Sequence, residues 1–283
     1  MEIEVVGVVG CGLMGTGIAQ CVAQAGYHVL MFDTRAGQAE QSKAEIGNRL
    51  KRAVEKGKMT EDEREKVVDL IVPVNRLDDM HSANLVVEAV PERADVKEQV
   101  FKLLDSTVSP ACILATNTSG LSVTRIASST TRPDRVVGIH FFYPAPVMKL
   151  VEVIRGLGTS EETYSKAKVF VERLWKTAVD AADYPGFIVN RLLIPMINEA
   201  AYCVMEGAKP QDIDNAMKLG CNHPMGPLEL ADFVGIDIVL ATMTGLFEGF
   251  GDDKYRPCPL LKKLVEAGYL GRKEKRGFYA YGD

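Results

Sequence analysis

Nowhere does an apolar run approach the ~20 residues that a membrane-spanning helix needs, so a membrane partner is not expected. A basic excess is missing too. The chain carries 33 Lys and Arg against 38 Asp and Glu, a net charge of −5, which argues against a broad nucleic-acid-binding face and leaves room only for a local basic patch. The cysteines, Cys11, Cys21, Cys112, Cys203, Cys221 and Cys258, are scattered, with no C-x-x-C pair and no zinc spacing. They read as small, reduced, mostly buried residues, and neither a disulfide nor a metal is expected. Internal repeats and low-complexity tracts are absent. The acidic N-terminus Met1-Glu2-Ile3-Glu4 has no basic or apolar region of a targeting peptide, so the expected location is the cytoplasm.

What is present is a chain of 283 residues, long enough for about two domains that each bury a core. Val5–Val9 is a continuous apolar run, as in a strand buried on both faces. A glycine-rich turn follows, then a helix from about Gly15 to Gln24, ended by Gly26 in the place of a left-handed cap. His28–Phe32 reads as the second strand. Helices are expected over about Ala36–Lys56 and Glu61–Asp69, and strands at Leu85–Val90, Ile113–Ala115, Arg135–Ile139, Leu150–Ile154 and Thr177–Val179. Strands separated by helices predict a Rossmann-type, doubly wound, mostly parallel α/β sheet. The texture changes at Tyr184-Pro185-Gly186. Beyond it the pattern is all helical: Phe187–Glu206 with a kink at Pro195, a helix opened by Pro210 and closed by Gly220, one over Pro227–Leu246 and one over Pro259–Ala267. The expected domains are therefore residues 1–184, binding a dinucleotide, and 185–283, helical. The apolar run Phe187–Met205 exceeds what one small domain buries and points to a homodimer, although an ordinary core helix has the same pattern.

Gly10-Cys11-Gly12-Leu13-Met14-Gly15 is a G-x-G-x-x-G string lying between a buried strand and a helix, the context that gives the string meaning. Gly10 permits the tight turn, Gly12 lets backbone approach a pyrophosphate, and Gly15 lets helix and strand pack closely. The helix N-terminus offers N–H groups to phosphates. Asp33, at the end of the second strand, suits the adenosine ribose hydroxyls and repels a 2′-phosphate. NAD is thus expected ahead of NADP, with Arg35 close enough to soften the preference. The competing reading is a structural strand–turn–helix without a ligand.

Oxidising a secondary alcohol by hydride transfer needs a base for the hydroxyl proton, and imidazole serves both directions. His140 ends a predicted strand, where open α/β sheets place their ligands. Pro144 and Pro146 then turn the chain, and the next strand can return Glu152 to orient the ring and stabilise the imidazolium. Ser119, in the loop after the Ile113 strand, suits either a substrate oxygen or a helix N-cap. Asn190, early in a long helix, can donate to a developing alkoxide or bond backbone.

The stretches Ala115-Thr116-Asn117-Thr118-Ser119, His140 to Val153, Pro185-Gly186-Phe187-Ile188-Val189-Asn190-Arg191, Asn222 to Pro227 and Gly277-Phe278-Tyr279 resemble, in order, signature blocks of the 3-hydroxyacyl-CoA dehydrogenase family. The likeness spans the whole chain and is strongest to short bacterial members acting on 3-hydroxybutyryl-CoA. It implies His140 and Glu152 as a catalytic dyad and Ser119 and Asn190 as substrate contacts. Around the cofactor it implies Gly10, Gly12, Leu13, Met14, Gly15, Asp33, Glu92, Lys97, Asn117, Ser119, Tyr143 and Lys273. The implied substrates are acetoacetyl-CoA and 3-hydroxybutyryl-CoA, interconverted in the cleft between the domains. Without the resemblance, Glu92 and Lys97 read as a solvated first helical turn, and Lys273 as part of a solvated charge run.

Two positions depart from the family pattern. Tyr143 stands where the family has an asparagine expected to help position the nicotinamide, and Arg49 stands where it has a serine. Arg49, Arg52 and Lys56, with Lys51 and Lys58 nearby, form a basic stretch suited to CoA phosphates, or else the solvated side of an amphipathic helix. Two rival functions stay open: a dehydrogenase of a hydroxy acid without CoA, and a non-catalytic dinucleotide-binding sensor or structural protein.

Overall fold

The structure, a computed structural model, describes residues 2–282. Two compact units divide the chain between Asp183 and Tyr184. The first is built on one sheet of β1 (Val5–Val9), β2 (His28–Phe32), β3 (Ile71–Pro73), β4 (Leu85–Glu88), β5 (Ile113–Thr116), β6 (Val136–Phe141), β7 (Leu150–Arg155) and β8 (Thr177–Ala182). Its order is β3-β2-β1-β4-β5-β6-β7-β8, and every pairing is parallel except β6 with β7. The sequence also directs helices α1 (Leu13–Gln24), α2 (Gln38–Glu55), α3 (Glu61–Asp69), α4 (Ala94–Thr107), α5 (Val123–Ala127) and α6 (Glu161–Arg173) to cover it.

The chain leaves β1 on one side of the sheet and returns to β4 on the other, so the sheet edge at the β1 carboxyl end opens as a crevice between oppositely directed crossovers. The four central strands are almost wholly buried, as their unbroken apolar composition requires. Val6, Val8, Val29, Leu85, Val87, Val137 and Ile139 are completely buried, each contributing roughly 1.5–3 kcal/mol of hydrophobic stabilisation. Gly10 has φ +93°, and a Cβ there would meet the Ala89 carbonyl. Only glycine takes that turn cheaply. Gly26, at φ +89°, ends α1 as the pattern predicts.

The antiparallel pair follows from Pro144 and Pro146. The segment 142–149 reverses direction, and Lys176 Nζ fastens it by donating to the carbonyls of Ala145 (2.7 Å) and Met148 (2.8 Å). β3 is an addition to the expected strands. Three residues ending in proline carry no alternation to read, and they sit at the sheet edge, where a missing N–H is tolerated.

The second unit holds α7 (Val189–Met205), α8 (Pro210–Cys221), α9 (Pro227–Val234), α10 (Ile236–Phe250) and α11 (Pro259–Glu266). Ile194, Ile197, Ala201, Ala231, Ile236, Val239, Met243, Leu246 and Leu261 form its core. α7 runs unbroken through Pro195. The helix expected over Pro227–Leu246 is two helices, bent by 100° about Gly235, whose φ of +109° no other residue adopts cheaply. The closing residue of α8 is Asn222, left-handed at φ 56°, rather than Gly220. Among the described residues no single helix is long and apolar enough to cross a membrane.

Two buried aspartates knit this unit together. Asp214 accepts the N–H groups of Leu228 (2.8 Å) and Glu229 (2.9 Å), capping α9, and also the Tyr279 hydroxyl (2.6 Å). Asp232 accepts the N–H groups of Phe278 (2.9 Å) and Tyr279 (3.0 Å) and the Tyr281 hydroxyl (3.0 Å). The closing Gly277-Phe278-Tyr279 block thus has a structural task. A side chain at Gly277 would occupy the Asp232 carboxylate.

Candidate active site

The glycine-rich turn is held from below. The Cys11 carbonyl accepts hydrogen bonds from Ser42 Oγ (2.9 Å), Thr16 Oγ1 (3.2 Å) and Gln38 Nε2 (3.2 Å). The Cys11 N–H donates to Asp33 Oδ2 (2.8 Å), and Asp33 Oδ1 accepts the Arg35 N–H (2.9 Å). Asp33 therefore fixes the turn as well as standing at the end of β2. Burial, reinforced by the negative charges of Asp33 and Glu40, pushes the Cys11 thiol up to about 12.

Gly10, Gly12, Leu13, Met14, Asp33 and Arg35 line a groove of about 790 Å³, with Val90, Val96 and Val100 on its far wall. A Cβ built on Gly12 would meet nothing within 4 Å, because it would stand in the groove, whereas one on Gly15 would strike the Gly10 carbonyl. The first turn of α1 has no side-chain cap and no acidic residue. Its N–H groups and the positive end of its dipole are thus offered to an anion. A dinucleotide fits: an apolar slot for the adenine, open backbone at Gly12 for the pyrophosphate, and a carboxylate, Asp33, for ribose hydroxyls.

Farther along the same sheet edge, β6 and β7 are paired so that His140 lies directly opposite Glu152. Directly opposed residues of an antiparallel pair share a face, and His140 Nδ1 lies 2.8 Å from Glu152 Oε2. Glu152 is fully buried and His140 is 4% exposed. The Phe142 ring leans on the imidazole at 4.5 Å between centroids. A carboxylate fixed on Nδ1 sets the tautomer and directs proton exchange to Nε2.

Asn117 and Ser119 follow β5, the neighbour of β6. Asn117 is buried, and its Oδ1 accepts the Phe141 N–H (2.8 Å), joining this turn to the end of the histidine strand. Ser119 donates its N–H to Glu92 Oε1 (2.8 Å). The N-cap role open to Ser119 is filled instead by Ser122, which accepts from the Arg125 N–H. Lys97 is 1% exposed and so is not part of a solvated turn. Its Nζ reaches Glu88 Oε1 at 2.6 Å and Glu92 Oε2 at 3.2 Å. Burial pushes the Glu88 carboxyl upward, while Lys97, Thr116 and the Val90 N–H pull it back.

Sequence reasoning missed Glu88, Thr116 and Thr118. The signal was there: a carboxylate inside an apolar strand requires a buried partner. Tyr143 is more than half exposed, in the loop after β6.

Arg49 and Arg52 on α2, and Lys56 at its C-cap, follow one another at helical spacings of three and four. Arg52 and Lys56 are exposed, while Arg49 is half-buried and donates to Gln20 Oε1 (3.3 Å). In the helical unit, Asn190 is the second residue of α7. Lys273 is paired with both oxygens of Asp237 (2.6 and 2.7 Å) rather than solvated alone. Asn198, unforeseen, accepts the Cys258 N–H (2.7 Å) and donates to the Arg256 carbonyl (3.1 Å) from within the core.

Residues 5–184 match the family model described as 3-hydroxyacyl-CoA dehydrogenase, NAD binding domain, and residues 186–281 match that of its C-terminal domain. A probable 3-hydroxybutyryl-CoA dehydrogenase of Bacillus subtilis is 53% identical over 282 residues, covering 99% of this chain and 98% of the relative. The human mitochondrial hydroxyacyl-coenzyme A dehydrogenase is 43% identical over 283 residues, covering 97% and 90%. The crystal structure of (S)-3-hydroxybutyryl-CoA dehydrogenase from Ralstonia eutropha superposes with a TM-score of 0.97 at 44% identity, covering all of both chains.

Proposed function

The chain belongs to the 3-hydroxyacyl-CoA dehydrogenase family, and from that premise we propose that it reversibly converts (S)-3-hydroxybutyryl-CoA to acetoacetyl-CoA with NAD. The observation that carries the proposal is the buried His140–Glu152 pair, 2.8 Å apart, on the sheet edge that also carries the glycine-rich turn. The dinucleotide, when bound, accepts or supplies the hydride. The protein manages the proton. His140 Nε2 takes it from the 3-hydroxyl during oxidation and returns it to the 3-keto oxygen during reduction. Glu152, tied to Nδ1, stabilises the imidazolium. Ser119 and Asn190 hold the substrate oxygen, with Asn190 donating where negative charge develops. Asp33 favours NAD over NADP by taking ribose hydroxyls and repelling a 2′-phosphate.

Arg49, Arg52 and Lys56 form the phosphate-binding stripe for CoA, and the exposure of Arg52 and Lys56 supports that role. The helical unit also serves as the contact between two copies in a homodimer. The long apolar helix α7, with Leu192 on it 70% exposed, supports that reading. The scattered, unpaired cysteines suit the cytoplasm. The test is NADH oxidation with acetoacetyl-CoA by the wild type and His140→Ala. Rapid turnover, lost by roughly 10³-fold or more in the variant, supports both activity and proton role. A wild type that binds NADH without turning over acetoacetyl-CoA overturns the reading.

A further inference from the structure

We propose that Glu88 is a positioning residue: through Lys97 and Glu92 it sets the backbone of the Thr118–Ser119 turn, and so the placement of the Ser119 hydroxyl. The proposal rests on the reading of Ser119 as a substrate contact.

The connection can be followed atom by atom. Glu88 is completely buried at the end of β4. Its Oε1 accepts from Lys97 Nζ (2.6 Å) and the Val90 N–H (2.7 Å), and its Oε2 accepts from Thr116 Oγ1 (2.7 Å). The Lys97 ammonium also reaches Glu92 Oε2 (3.2 Å) and the Val90 carbonyl (3.4 Å). Glu92 Oε1 then accepts from Thr118 Oγ1 (2.5 Å) and the Ser119 N–H (2.8 Å). Thr118 Oγ1 in turn accepts the Leu121 N–H (2.9 Å).

The Lys97 ammonium donates to Glu88 and the Val90 carbonyl and lies within ion-pair reach of Glu92, so it links the two carboxylates. A buried ion pair seldom outperforms apolar residues in stability, because both ions lose their hydration. The pair is better explained by geometry. Each carboxylate spreads its oxygens over two strands or loops, and apolar side chains would hold neither.

The experiment compares wild type with Glu88→Gln, Glu92→Ala, Glu92→Gln and the double variant Glu88→Gln/Lys97→Met. It measures amide hydrogen exchange at Ser119 and Leu121, kcat and KM for acetoacetyl-CoA and NADH, and Tm. In Glu88→Gln, exchange at Ser119 rises and kcat falls, each by roughly tenfold, while KM for NADH moves less than about threefold; in Glu92→Ala exchange at Ser119 rises by a similar factor. Glu92→Gln, whose amide oxygen still accepts from Thr118 and Ser119, keeps Ser119 exchange close to the wild-type rate. The double variant, freed of an unpaired buried charge, regains Tm without regaining kcat.

Unchanged Ser119 exchange in Glu92→Ala overturns the proposal. So does recovery of kcat together with Tm in the double variant, or, in Glu88→Gln, a rise in KM for NADH with kcat intact. Should Glu88→Gln fail to fold, the Glu92 pair decides, its side chain being 43% exposed. Should the wild type not turn over acetoacetyl-CoA, the activity reading fails, and the exchange measurements alone uphold or overturn the network.

Discussion

Glu152→Gln isolates what a charge, rather than a shape, contributes at the sheet edge. The side chain is fully buried and faces His140 across two hydrogen-bonded strands, so the neutral isostere keeps the packing and one hydrogen bond to Nδ1. Under the proposed function it loses the attraction between carboxylate and imidazolium at the moment His140 holds the substrate proton. At an effective dielectric of about 20, opposite charges about 4 Å apart attract by about 4 kcal/mol, equivalent to about three decades in rate. The glutamine oxygen still bonds the ring and recovers part of this, so the expected loss in kcat is roughly 10²–10³-fold, with KM for NADH and acetoacetyl-CoA within about threefold. Steady-state NADH oxidation reads the rates, and a thermal melt reports the fold. A Glu152→Gln enzyme within about threefold of wild-type kcat, with an unchanged melt, would refute the imidazolium argument.

Two other perturbations separate the remaining parts of the site. Gly12→Val should fold with an unchanged Tm, since a Cβ there meets nothing, yet lose NADH binding by roughly 100-fold as measured by fluorescence titration. Undiminished binding would show that the phosphates do not approach Gly12. Asp33→Ala should raise KM for NADH by roughly 10–100-fold and narrow the NADH/NADPH ratio of kcat/KM, because it removes the anchor of the Cys11 N–H and, under the proposed function, the ribose acceptor. An unaltered ratio would remove Asp33 from cofactor selection.

Burial holds the Cys11 and Cys112 thiols at about 12 and Cys21 at about 11, against an ordinary 9.0. A folded-state value raised above the unfolded one means that the unfolded chain ionises first. Each thiol's contribution is therefore complete below pH 9 and lost as pH climbs toward 11–12, with a slope up to about 1.4 kcal/mol per pH unit per thiol. Urea melts at stepped alkaline pH should show that decline, and Cys11→Ala should flatten it. A profile identical in the variant would exclude Cys11 as a source.

How legible the molecule is from its sequence depends on whether a feature is written locally. The β1–turn–α1 unit and the register that returns Glu152 to His140 were readable, because glycines at a strand end and paired prolines after a histidine are local constraints. The break between α9 and α10 was not. Ala231 to Leu240 keeps a helical apolar pattern on both sides of Gly235, and only packing decides that the axis turns there. The same holds for Asn222, whose left-handed cap displaced the expected Gly220. Two residues tolerant of that conformation stood close together, and the hydrogen bonds chose between them. Asp214 and Asp232 join segments dozens of residues apart, a relation that neither periodicity nor spacing encodes. Glu88 is the intermediate case. A carboxylate within an apolar strand announces that a partner exists, but not that the partner is Lys97, because α4 had first to be placed against the sheet.

The distribution of acids along the sheet edge also follows one rule. Asp33 follows β2, Glu88 ends β4, and Glu152 stands near the start of antiparallel β7, so all three collect where the ligands of such a sheet bind. Three carboxylates should make this a poor place for an anion. Each, however, is engaged by donors of the protein: Asp33 by two backbone N–H groups, Glu88 by Lys97, Thr116 and the Val90 N–H, and Glu152 by His140. The first turn of α1, between them, carries no acid and no cap. Under the proposed function this segregates the chemistry. Phosphate meets uncapped N–H groups, while the sugar and alcohol hydroxyls, which need acceptors, meet carboxylates or the imidazole one of them orients. Moving an acid into that first turn, as in Met14→Glu, should then weaken NADH binding through like-charge repulsion while leaving the His140–Glu152 pair as it is.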